Sequence, residues 1–338
     1  MLKCPYDDAL FYRKKNGTVD GIMTIHVDDF VYSGSEEFNQ DVRSSILKDF
    51  ELKSNEKTNF TYLGLEVEQS EQDFSIKVSQ KKYIDCELNP IPLTMKRKQQ
   101  KTYAVNSTEY KKLRAGVGQL LWISLQTRPD LSFESCQLSN HLSDPNVADL
   151  TRFNKIVKDL KENNDVSLMF KKIPGLTLNP KILTYSDAAF GNLPNQGSQC
   201  GYITFLTDNA GIEKNPIAWK SVKLDRVCQS TVAAESLALT KAIDHTIFIK
   251  KTFEKITGIN KSPDVECFID SKGLLELVYK TKDPTEKRLI CTMASIREMI
   301  DEKEISVTFI PSKNMPADIL TKRGPSGSII RQHLLTDE

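Results

Sequence analysis

A chain of 338 residues with 39% hydrophobic content can bury ample core and is expected to form two or three domains. Its 46 Lys and Arg against 45 Asp and Glu leave a formal charge of +1, which excludes a global basic field and confines any nucleic-acid binding to local patches. No run of about 18 apolar residues occurs, which excludes a helical membrane span, and Met1 to Leu10 carry Lys3, Asp7 and Asp8 where a signal peptide would be apolar.

The first predicted element is a hairpin. Gly21 to Ser33, GIMTIHVDDFVYS, places Asp28 and Asp29 between two β-prone apolar runs, so that a tight turn presents both acids at its tip. Asn89-Pro90-Ile91-Pro92 then breaks the chain ahead of a Lys- and Gln-rich stretch. From about Asn106 to Phe170 the period is helical, with Tyr110, Leu113, Val117, Leu120, Leu121 and Ile123 on one stripe and further helices over 131–142 and 147–160. Pro174, Gly175 and Pro180 mark a linker. These breaks predict domains at 1–90, 91–170 and 181–323, a linker at 171–180, and a weakly ordered tail at 324–338.

In the last domain four acids occupy four short settings: YSDAAF, AAESLAL, FIDSKG and MPADILTK. Ile182, Leu183 and Tyr185 predict a strand delivering Asp187 near its end. Ser230 or Thr231 caps a predicted helix with Glu235 in its first turns. Val265, Cys267, Phe268 and Ile269 predict a strand ending at Asp270, and Ser271 to Lys280 turns helical. Ser306 to Ile310 is a further strand, and Pro316 opens a helix containing Asp318. Four carboxylates on strand ends and helix starts suit a site for two hard divalent cations, which take oxygen ligands and can hold both the attacking and the leaving oxygen of a phosphodiester. Four acids so close repel one another, so at least one is expected to have a raised pKa and the set to titrate together.

Asp187, Glu235, Asp270 and Asp318 resemble, motif by motif, the Asp-Glu-Asp-Asp set of ribonuclease H. The words around them (SDA, GYITFL, PIAWKS, AES-LAL, DSKG and PADILTK) resemble the copia-type retrotransposon version from about Lys181 to Lys322. Upstream, the Asp28-Asp29 hairpin resembles the central palm hairpin of reverse transcriptases. ALFYRK, YLGLEV, SQKKYI and QLLWISLQTRPDLSF are further copia-type words, so that the resemblance to a retrotransposon Pol polyprotein covers roughly Cys4 to Arg323.

The resemblance implies a truncated palm with a helical thumb or connection, followed by a ribonuclease H-like mixed sheet flanked by helices. It implies two Mg²⁺ ions, replaceable by Mn²⁺, on Asp187, Glu235, Asp270 and Asp318, with Asp187 between them. The substrate implied is an RNA/DNA hybrid whose RNA strand is hydrolysed, recognised by its 2′-hydroxyls. Association with other retroelement Pol products is implied as well. Ser271 and Asn314 are candidate hydrogen-bond partners for substrate. Reverse transcription also needs a third catalytic carboxylate and closing fingers, and only 27 residues precede Asp28, so polymerase activity is expected to be absent. Candidate phosphate contacts are Lys81-Lys82, Lys96 to Lys101 with Arg97, Lys111-Lys112 with Arg114, and Lys220 to Arg226.

A proofreading exonuclease would show Asp-x-Glu on its first strand, where this chain has Asp187-Ala188-Ala189, and an integrase would carry its Glu on a late helix. The rival from another class is a retroelement relic that binds nucleic acid or a protein partner without catalysis. Seven cysteines without a C-x-x-C pair suggest reduced thiols in an intracellular protein, nuclear or cytoplasmic, and four scattered histidines offer no zinc spacing.

Overall fold

A computed structural model describes residues 1–51, 56–259, 261–280, 284 and 286–323; the tail expected at 324–338 lies outside them. Strands β1 (Leu2–Lys3), β2 (Leu10–Lys15), β3 (Thr18–His26) and β4 (Asp29–Gly34) form an antiparallel sheet in sequence order. Helix α1 (Glu36–Asp49), capped by the Ser35 hydroxyl, lays Phe38 across it. The approach is close enough that a Cβ on Gly21 would overlap the Phe38 ring.

A second antiparallel sheet joins β5 (Asn59–Tyr62), β6 (Leu65–Gln69) and β7 (Ile76–Ser79) to the distant β8 (Leu168–Phe170). Between them lie α2 (Lys81–Cys86), α3 (Met95–Gln99), α4 (Ser107–Gln126), α5 (Ser132–His141) and α6 (Val147–Glu162). Asn106 and Asn146 close reciprocal capping boxes with Glu109 and Asp149, which fixes where α4 and α6 begin. The predicted stripe of α4 is the buried one: Leu113, Val117, Leu120 and Ile123 meet Leu150, Phe153 and Val157 of α6. The same core takes Ile84 and Leu88 together with Ile91, residues on both sides of position 90.

The third sheet runs β11 (Asn215–Lys223), β10 (Gly197–Asp208), β9 (Pro180–Leu193), β12 (Asp264–Ile269) and β13 (Ser306–Phe309) across its width. β9, β10 and β11 are antiparallel, while β12 pairs parallel to both β9 and β13. Helices α7 (Thr231–Thr257), α8 (Lys272–Tyr279) and α9 (Ile290–Asp301) cover one face through Ala234, Ala238, Leu239, Ala242, Met293 and Ile296. The other face buries Leu183, Ile203 and Phe205 against Leu168 and a closing turn, Pro316–Leu320. Both faces are thus covered, which is why β10 is buried almost throughout. A mixed sheet flanked by helices is the arrangement expected for 181–323. Among the described residues no helix is long and apolar enough to cross a membrane.

Candidate metal centre

Asp187 lies inside β9 rather than near its end, because the strand continues to Leu193 through its pairing with β10. Its parallel partner β12 stops at Ile269, so Asp270 emerges beside it. Glu235 comes from the second turn of α7, whose start is fixed by Ser230 accepting the Ala233 N–H at 3.1 Å. One carboxylate oxygen from each of Asp187, Glu235 and Asp270 lies within 4.8 Å of the other two. Asp187 and Glu235 are each only 4% exposed.

Burial dominates the electrostatics. Loss of water pushes the Asp187 carboxyl up to about 6, with the Asp270 charge adding to the rise and the Thr321 hydroxyl opposing it. Glu235 is pushed up to about 9, first by burial and then by the charges of Asp187 and Asp270. Its Oε2 is buried without any hydrogen-bond partner. An unpartnered buried carboxylate oxygen beside two like charges is an unfavourable arrangement for protein alone and a suitable one for a hard cation.

Asp318 lies apart from this triad. It sits on the closing turn, where the helix expected to open at Pro316 is a short 3₁₀ helix, and the Thr321 and Lys322 N–H groups donate to its carbonyl at 3.1 and 3.2 Å. Its carboxylate is paired with Lys322. The Thr321 hydroxyl donates to Asp187, and Asn192 Nδ2 donates to the Thr321 carbonyl at 3.1 Å. Room for this comes from Gly201, the β10 residue opposite Asp187, where a Cβ would stand 2.5 Å from Leu320 Cβ and 2.9 Å from Thr321 Cγ2. Sequence reading missed Thr321 and Lys322. The available signal was the spacing, since Lys322 follows Asp318 by four positions, the interval at which opposite charges meet along a turn.

Ser271 accepts the Leu274 N–H at 3.2 Å as the cap of α8, next to the triad, and Asn314 is exposed on the preceding 3₁₀ turn, Ser312–Asn314. Asp28 and Asp29 sit exposed at the tip of the β3–β4 hairpin, and among the described residues no third metal-ligating side chain joins them. Of the basic patches, Arg97 is committed to Glu109, with Nη2 to Oε2 at 2.6 Å, whereas Lys111 and Arg114 line an open hollow on α4 with Tyr110.

No protein-family model matches the chain. It is 24% identical to a retrovirus-related Pol polyprotein from transposon TNT 1-94 of Nicotiana tabacum, over 96% of the chain and 25% of that protein. It is 22% identical to the transposon Ty1-NL2 Gag-Pol polyprotein of Saccharomyces cerevisiae, over 90% of the chain and 18% of that protein. The chain therefore spans a quarter or less of the length of these relatives. Among solved structures, the foamy viral protease-reverse transcriptase in complex with RNA/DNA hybrid matches 86% of this chain and 36% of its own, with 13% identity and a TM-score of 0.46. LC11-RNase H1 in complex with RNA/DNA hybrid matches 42% of this chain and 94% of its own, with 26% identity and a TM-score of 0.31.

Proposed function

We propose, for a chain whose homologues are Ty1/copia-type retrotransposon Pol polyproteins over 90% or more of its length, a metal-dependent ribonuclease H activity that cuts the RNA strand of RNA/DNA hybrids. The observation that carries the reading is the convergence of Asp187, Glu235 and Asp270 with the Glu235 Oε2 left buried and unpartnered. These three acids are the ligands of one ion, and Asp187 with Asp318 those of a second. Mg²⁺ fits an all-oxygen set, and Mn²⁺ substitutes for it. Bound divalent cations supply an activated water and neutralise charge on the departing 3′-oxygen.

The protein's own contribution is placement. β9 and β12 fix Asp187 and Asp270 side by side, α7 brings Glu235 over them, and Thr321 holds the Asp187 carboxylate in one orientation. The RNA strand is recognised by its 2′-hydroxyls across the shallow minor groove, with Ser271 and Asn314 as contacts. We keep the division into a palm remnant (1–90), helical connection (91–170), linker (171–180) and nuclease (181–323) as part of this proposal. Asp28 and Asp29, without a third acid among the described residues, are proposed to hold no catalytic metal in this chain, and extension of a primed template by the purified protein would overturn that.

Incubation of a labelled RNA/DNA hybrid with the protein in Mg²⁺ and in Mn²⁺, beside Asp187→Asn and Asp270→Asn, tests the reading. RNA-strand cleavage abolished by both substitutions is expected. No cleavage in either metal by folded protein would leave a non-catalytic binder as the better description.

A further inference from the structure

The acid cluster carries a cation of its own. The Lys322 ammonium is paired with Asp318, whose side chain is only 14% exposed, and it also feels the charges of Asp187 and Asp270. Burial alone would lower the Lys322 pKa; the Asp318 pair and the neighbouring acids outweigh it and raise it.

The residues flanking this lysine are held by several contacts. Ser221 Oγ donates to the Leu320 carbonyl at 2.5 Å, Asn192 holds the Thr321 carbonyl, and the Thr321 hydroxyl holds Asp187. On the far side Arg323 reaches the helical module, with Nε 2.5 Å from Glu134 Oε1, and Arg152 of α6 binds the same carboxylate at 2.6 Å. A lone surface Asp–Lys pair at this spacing would be a minor contact. Here the backbone just before the lysine is held at Leu320 and Thr321, and the half-exposed lysine side chain turns its ammonium onto Asp318.

We infer that Lys322 is a positioning residue that fills the cation position at Asp318, so that the substrate-free protein has room for one divalent ion on Asp187, Glu235 and Asp270 and none beside Asp318. An ammonium paired with Asp318 competes with a divalent ion for that carboxylate, because the two like charges would lie within a few ångströms of each other. A second ion has to displace Lys322, and the negative phosphodiester of bound substrate favours that exchange. This rests on the proposed metal site but not on cleavage.

The test counts Mn²⁺ ions by calorimetric titration of the full chain without nucleic acid. Wild type is expected to bind one ion, lost in Asp187→Asn. Lys322→Gln is expected to gain a second, tightened by on the order of tenfold or more over wild type. Lys322→Arg, which keeps the charge, should stay at one ion, and Lys322→Gln with Asp318→Asn should return to one. Two ions of comparable affinity in wild type, or one ion in wild type and Lys322→Gln alike, would overturn the inference while leaving the triad intact. No binding in any folded variant would overturn the metal site itself, and the inference with it.

Discussion

Glu235 shows what the site costs the apo protein. Its Oε2 has no donor, and burial together with the charges of Asp187 and Asp270 outweighs the Ala188 N–H that favours the carboxylate, so the fold holds this side chain against its own electrostatics. Glu235→Gln keeps the shape and removes the charge, and is expected to stabilise the metal-free protein by about 1–3 kcal/mol while abolishing Mn²⁺ binding. Thermal melts with and without Mn²⁺ check this, and a destabilised apo variant would sink it. The pH dependence follows with a definite sign. Asp187 and Glu235 have folded pKa values of about 6 and about 9, above the ordinary carboxylate range, so the native state binds their protons more tightly than the unfolded chain does. Their contribution to stability is complete below about pH 4 and is lost as pH rises through 6 and towards 9. In chelator the melting temperature should fall between pH 5 and pH 9, and saturating Mn²⁺ should oppose the fall by favouring the deprotonated acids. Glu235→Gln should flatten the curve in chelator; an unchanged slope would assign the pH dependence to other groups.

At the scale of elements, β10 and the closing turn have to touch for the site to exist. Gly201 permits the contact, so Gly201→Ala should push Leu320 and Thr321 outward, cost about 1–3 kcal/mol as an overpacked contact, and weaken Mn²⁺ binding through the lost Thr321–Asp187 bond. Unaltered Mn²⁺ affinity in Gly201→Ala would show that Thr321 does not hold the acid. The sequence makes β9, α7 and β12 legible because each announces itself locally: an apolar and aromatic run before Asp187, a Ser230 cap before Glu235, and an apolar run before Asp270. The extension of β9 to Leu193 is hidden, because Gly191, Asn192 and Pro194 look like breakers until Leu193 is seen paired with Gly197 of β10. The same limit hides the second sheet. Leu168 to Phe170 become a strand only by pairing with β7, far back in the chain, and three residues carry no periodicity of their own. Thr321 was out of reach for the same reason: its partner, Asp187, is 134 residues away.

For the whole molecule, the helical module is the second cover of the five-stranded sheet. Trp219 Nε1 donates to the Ser124 carbonyl of α4 at 2.7 Å, Gln137 of α5 reaches the buried Gln199 of β10 at 3.2 Å, and Glu134 clasps Arg323 just after the closing turn. Leu168 and Phe170 complete the apolar layer over Leu183, Ile203 and Phe205. Residues 181–323, the span expected to form a domain, therefore leave part of their core and several buried polar partners behind when expressed alone. Burying one large apolar side chain contributes about 1.5–3 kcal/mol, and each orphaned buried polar group costs about 1–3 kcal/mol. Losing two or three of each approaches the entire stability of an ordinary domain, about 5–15 kcal/mol. The full chain should accordingly lose its near-ultraviolet and far-ultraviolet signals in one shared transition. The isolated 181–323 span should melt at least about 5 °C lower and bind Mn²⁺ more weakly. The milder Glu134→Gln substitution, which only unpairs Arg323 and Arg152, should move both readouts the same way by a smaller amount. If the isolated span matched the full chain in both melting temperature and Mn²⁺ affinity, the helical module would be a neighbour of that span and not part of its structure.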